Sequence, residues 1–105
     1  MAKVNWTDQA LNDLIHIAEY IAQDSVKYSK ITVDRIRSRA RELREYPQLG
    51  RVVPEVDSPV LRELIMGNYR IIYFIHSRDS IDILSVHHSA KRLIIDDSEA
   101  SFPDS

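Results

Sequence analysis

The sequence predicts an α+β fold, a small antiparallel sheet with an N-terminal α-helical hairpin packed on one face. Three observations carry this expectation. Apolar residues recur at three- and four-residue steps through two successive segments between Leu11 and Tyr46, the period of helices that bury one stripe. Three short runs rich in β-branched and aromatic residues follow, between Val60 and His88. One of them, Tyr69–His76, is apolar on both faces, which places it centrally in the sheet.

Val4 and Trp6 alternate with polar neighbours, as in a short first strand. Thr7-Asp8 is a helix start, because either side chain can accept a bond from an orphan backbone N–H. Leu11, Leu14, Ile15, Ala18, Ile21 and Ala22 form the stripe of the first helix. Asp24-Ser25 breaks it and offers a second cap. Tyr28, Ile31, Val33, Ile36, Ala40, Leu43 and Tyr46 continue at near-helical spacing to Pro47. That proline pushes the residue before it out of the α region and closes the helix. Residues 47–54 read as loop. The strands Val60–Met66, Tyr69–His76 and Ile81–His88 are separated by turns at Gly67-Asn68 and Ser77–Ser80. In the last strand, alternation puts Ile81, Ile83 and Ser85 on one face and Asp82, Leu84 and Val86 on the other. The order is β-α-α-β-β-β, with three or four strands in one sheet.

The chain has 105 residues, 44% hydrophobic and 29% charged, enough for one modest core and too few for two domains. A single domain over residues 1–95 and an acidic, flexible tail over 96–105 are expected. With no cysteine, disulfides and cysteine-based zinc sites are excluded. No apolar run approaches the roughly 20 residues of a membrane span, and residues 1–6 lack the apolar core of a signal peptide. The expected location is the cytoplasm. The net charge is −2, and the four acidic residues of the tail (Asp96, Asp97, Glu99, Asp104) leave residues 1–95 at +2. A body this mildly basic is weak evidence for nucleic-acid binding. None of the four histidines stands in a metal-ligand pattern, and neither metal nor cofactor is expected.

Six fragments in order resemble the RelE/ParE superfamily of toxins from type II toxin–antitoxin systems. They are Trp6–Leu14 with its Ala-x-x-Asp-Leu pattern, Ile17–Ala22, Tyr46–Arg51, Leu61–Leu64, Tyr69–Tyr73 and Ile83–His88. The resemblance spans roughly residues 3–93 and is closer to the ParE branch. It implies the fold already read from periodicity, a cognate antitoxin bound in a hetero-oligomer, and one of two activities. ParE-like members poison DNA gyrase without a known catalytic site; RelE-like members cleave messenger RNA on the ribosome. Fold does not choose between them.

The candidate residues divide accordingly. Under the endoribonuclease alternative the resemblance implies Arg70 as a phosphate-stabilising group, with His88 and Lys91 beside it. A planar guanidinium suits that task because it binds two oxygens at once. Arg70 is equally compatible with a structural role, paired with a loop carboxylate. His87 and His88 point to opposite faces of their strand, and His88 is favoured because Lys91 and Arg92 follow it. The resemblance places Leu61, Arg62 and Glu63 where RelE-type nucleases tend to carry lysines. With a pI near 6.0, this favours gyrase over the ribosome as target. Candidates for contacting target or antitoxin are Arg37, Arg41, Arg44, Arg62, Arg70, His88, Lys91 and Arg92. Five arginines fall between Arg35 and Arg44, and Arg37, Arg41 and Arg44 lie nearest one another on a helix. A solvated face beside Glu42 and Glu45 is the alternative. Trp6 and Tyr20 are expected to pack between the first strand and helix.

Overall fold

The computed structural model describes residues 1–89, 94–95 and 100–101. Strand β1 (Lys3–Trp6) leads into α1 (Asp8–Ala22) and α2 (Val26–Arg41), which ends in a single 3-10 turn, Glu42–Arg44. Then come β2 (Arg51–Val52), β3 (Leu61–Met66), β4 (Tyr69–Ser77) and β5 (Ser80–His88). The sheet order is β1-β5-β4-β3-β2, with β4 in the centre. A separate ribbon pairs β6 (Ile94–Ile95) with β7 (Ala100–Ser101). The rest of the acidic segment 96–105 lies outside the described residues, as do Lys91 and Arg92.

Both helices start at the expected caps. Thr7 Oγ1 accepts from Ala10 N at 3.2 Å and Ser25 Oγ from Tyr28 N at 3.0 Å, satisfying donors that the first helical turn leaves open. The helices approach closely because small residues face each other: Ser29, buried on α2, donates to Ala18 O on α1 at 2.6 Å. Ala10, Leu14, Ile36, Ala40 and Leu43 are buried with Leu64, Ile71, Tyr73, Ile81, Ile83 and Val86 from the sheet. The expected stripes are rotated relative to this. Leu11 and Ile15 are 44% and 53% exposed, while Ala10, Asp13 and Leu14 are buried. Tyr28 and Tyr46 also face solvent, and Ser29 and Thr32 take the buried positions on α2. Trp6 packs against the core as expected, but Tyr20 is 74% exposed and does not.

The α+β class holds, and the sheet differs from the expected one in two details. It has five strands, because Arg51–Val52 pairs with β3; two residues carry no alternation by which a strand could be read. It is also mixed, because β1 runs parallel to β5, from Lys3 opposite Ser80 to Trp6 opposite Ile83. Past that point the chain turns into α1, and α1 takes over the backbone groups of β5. Thr7 Oγ1 donates to Ile83 O at 2.7 Å, and the buried Asp13 carboxylate accepts from Val86 N at 2.9 Å.

A β-bulge sits in the same stretch. Ile72 opposes Ser85 and Tyr73 opposes Ile83, leaving Leu84 without an opposite residue. An extra residue shifts the side-chain phase by one. Val86, not Ser85, therefore joins Ile81 and Ile83 under the helices. The β3–β4 hairpin closes at Gly67, whose φ of +57° suits a residue without Cβ.

Tyr73 anchors the loop before β2. Its hydroxyl donates to Pro47 O at 2.8 Å and accepts from Gly50 N at 2.9 Å. Burial pushes its phenol above the ordinary value of 10, against smaller opposing effects of the Gly50 N–H and the Arg62 charge. Tyr73→Phe is expected to cost about 1–2 kcal/mol, since the buried Gly50 N–H and the partly buried Pro47 carbonyl lose their partner. The neutral phenol is the form the fold prefers. Its stability contribution is therefore complete below pH 10 and declines above it, as the unfolded chain ionises first. Urea titrations of both proteins at neutral and strongly alkaline pH check this. An equal loss of stability in the two on raising the pH would contradict it.

Candidate functional site

Register decides which side chains meet on the face opposite the helices. In an antiparallel pair, residues directly opposite point to the same side. Glu63 opposes Ile72, which opposes Ser85, and Arg70 opposes both Ile65 and His87. Glu63 is 1% exposed and sits between two arginines. Arg70 Nε donates to Glu63 Oε1 at 3.0 Å, and its Nη2 also contacts that oxygen. Arg51 Nε donates to Glu63 Oε2 at 2.6 Å. Glu55 on the loop approaches Arg70 Nη2 at 3.5 Å. A carboxylate this deep is tolerable only when paired and hydrogen-bonded, as here. Arg70 is thus held by its own chain, with 10% of its side chain exposed.

Of the candidates Arg70, His88 and Lys91, the structure places Arg70 and His88 on opposite faces of the sheet, and Lys91 lies outside the described residues. His88 opposes Tyr69, whose ring it meets edge-on with centroids 5.4 Å apart. Tyr69 packs against the helix-side core, so His88 lies on the opposite side of the sheet from Arg70. The histidine beside Arg70 is His87, buried and within 2.9 Å of Ser85 Oγ through its Nε2. Strict alternation would have placed His88 there; the bulge at Leu84 exchanges the two. Arg62 is also committed locally, donating to Pro59 O and Gly50 O at 2.9 Å each. It clamps the loop. Glu63 and Asp13 were not singled out from the sequence. A lone acidic residue in a strand or helix gives no sign of burial when its partner is distant in the chain.

Arg37, Arg41 and Arg44 do come together. With Lys3, Val4 and Trp6 they line an open cleft of about 430 Å³ where α2 and the 3-10 turn meet β1. The chain closes there through Ala2 N donating to Arg44 O at 2.8 Å. All three guanidiniums and Lys3 are exposed, and among the described residues no carboxylate lines the cleft. Among the described residues no group of three or more His, Cys, Asp or Glu side chains could hold a metal ion, and no helix is long and apolar enough to cross a membrane.

The fold and its register account for the motif fragments physically. In Ala10-x-x-Asp13-Leu14, the alanine and leucine enter the core and the aspartate accepts from β5. The family model "ParE toxin of type II toxin-antitoxin system, parDE" matches residues 4–93. The chain belongs to this ParE toxin family. It is 33% identical over 91 residues to Toxin RelE2 of Caulobacter vibrioides, covering 87% of this chain and 99% of that protein. A toxin–antitoxin role accordingly follows for this ParE-family member. Its fold matches a chain in the structure "Chromosomal ParDE TA system from P. aeruginosa" with a TM-score of 0.69. That match covers 84% of this chain and 96% of the other at 21% identity.

Proposed function

We propose that this toxin arrests growth in the cytoplasm by poisoning DNA gyrase, not by cutting messenger RNA, and that a cognate antitoxin neutralises it. The engagement of Arg70 carries this reading. A guanidinium that stabilises a cleaved phosphate must be open to that phosphate. Arg70 is buried with its Nε and Nη2 engaged by Glu63 and Glu55, and His88 lies across the sheet from it. A gyrase poison needs a binding surface and no such group. Purified toxin is expected to accumulate cleaved DNA in a gyrase reaction, and its expression to induce the DNA-damage response and filamentation. Ribosome-dependent cleavage of messenger RNA, with gyrase unaffected, would reverse the reading in favour of an endoribonuclease.

The exposed apolar side chains of α1 support the antitoxin part of the reading. Leu11 and Ile15, one turn apart, form a solvent-exposed apolar step on α1. An amphipathic segment of the antitoxin can bury it. Among the described residues the outer edge of β3 beyond Glu63 has no strand beside it, since β2 pairs only with Arg62 and Glu63, although Arg39 Nε donates to Ile65 O there at 3.3 Å. An extended stretch can add backbone bonds there. Replacing both Leu11 and Ile15 by aspartate is expected to weaken antitoxin binding at least tenfold without lowering the melting temperature. Unchanged affinity in isothermal titration would remove this face from the interface.

A further inference from the structure

We infer that the cleft of Lys3, Arg37, Arg41 and Arg44 binds the phosphates of duplex DNA, so that the toxin holds the DNA as well as the enzyme acting on it. The inference deepens the gyrase reading, and its measurement does not depend on that reading.

Several basic residues outside the cleft are engaged within the chain; Lys27, Lys30, Arg35 and Arg78 share with the cleft cations the lack of an ion pair among the described residues but do not line the cleft. Arg39 holds Glu42, Arg51 and Arg70 hold Glu63, and Arg62 holds two carbonyls. Among the described residues no ion pair engages Lys3, Arg37, Arg41 or Arg44. Compensation of the helix dipole accounts for cations in the last turn of α2, where Arg39 and Arg41 stand. It does not account for Arg37, for Arg44 beyond the helix end, or for Lys3 on another element. Residues 1–95 carry only +2, and the four cleft cations exceed that surplus. Four cations converge on this cleft, and the other charges of residues 1–95 sum to −2. Such a molecule turns one face to a polyanion.

The spacing suits a phosphate backbone. At about 1.5 Å rise per residue, Arg37, Arg41 and Arg44 form a stripe roughly 10 Å long on a rigid element. A DNA strand carries one charge per roughly 3.4 Å of axis, so the stripe spans about three phosphates. Guanidinium forks fit phosphate oxygens bidentately. Trp6, the aromatic residue lining the cleft, is half-buried against the core. A single indole gives no run of platforms on which successive unpaired bases could stack, as single-stranded recognition ordinarily uses. This favours duplex backbone over a single strand.

The test is fluorescence anisotropy with a labelled duplex of about 20 bp between 50 and 200 mM salt. Four phosphate contacts predict a slope of log K against log salt near −3.6, an affinity loss of about 150-fold over that range. The variant R37Q/R41Q/R44Q is expected to flatten the slope to about −1 with an unchanged thermal melt. Arg78→Gln, exposed and outside the cleft, should leave the slope as it is. The inference is overturned if no binding occurs at 50 mM salt, or if the triple variant keeps the wild-type slope. It is likewise overturned if single-stranded RNA of equal length binds more tightly, or if a poly-glutamate peptide of equal charge displaces the DNA at equal or lower concentration. The last outcome would make the cleft a site for an acidic protein segment. Gyrase supercoiling assayed on the same preparations separates the two readings. DNA binding without inhibition would sink the gyrase reading alone, and inhibition without DNA binding would sink this inference alone.

Discussion

Glu63→Ala is expected to destabilise the domain by about 3–5 kcal/mol, the usual cost of removing one partner from a buried ion pair. The Glu63 side chain is 0% exposed and that of Arg70 10%, and both oxygens of Glu63 are taken by Arg70 and Arg51. Without Glu63, Arg70 keeps only the partly exposed Glu55 at 3.5 Å. A domain of this size has about 5–15 kcal/mol in total, and each kcal/mol moves its melting temperature by about 4–8 °C. The expected drop is therefore about 12–40 °C by differential scanning calorimetry. Replacing both Glu63 and Arg70 with leucine should recover most of the loss, because an apolar pair of similar volume needs no desolvated charges. The double variant also bears on function. With Arg70 as a structural ion-pair partner, it stays folded and toxic. A folded but non-toxic double variant would mean that the Arg70 guanidinium acts on the target.

The second large effect is at Asp13. Asp13→Ala is expected to cost about 2–3 kcal/mol, the range of a hydrogen bond to a charged acceptor. Asp13 Oδ2 accepts from Val86 N at 2.9 Å, and Oδ1 accepts from Gln9 Nε2 at 2.9 Å. The Val86 N–H is a buried group beyond the end of β1, where water cannot replace the lost acceptor. The loss should be local as well as global. Amide exchange at Val86 is expected to speed up more than exchange in β3. Asp13→Asn retains an acceptor oxygen and should restore part of the stability. Uniform acceleration of exchange across the sheet, with no rescue by asparagine, would show that Asp13 does not act through this bond.

The sequence by itself determined the order of the longer elements, both helix caps, the central place of β4 and the grouping of Arg37, Arg41 and Arg44. Each rests on a property readable within a dozen residues. Helical period brings positions three and four apart together, a capping side chain reaches only its own first turn, and a strand buried on both faces must be apolar on both. The tertiary structure alone decided the rest. Pairing of β1 with β5 joins residues 77 apart in register, Lys3 with Ser80, and nothing in either segment specifies the other. The bulge at Leu84 adds one residue to β5 and so exchanges the faces of His87 and His88. A local reading assumes an unbroken period of two and cannot see it. Burial decided the roles of Glu63 and Arg70. In the chain they are two ordinary charged residues, and only the pairing of β3 with β4 and β2 encloses them and makes each the other's necessary partner.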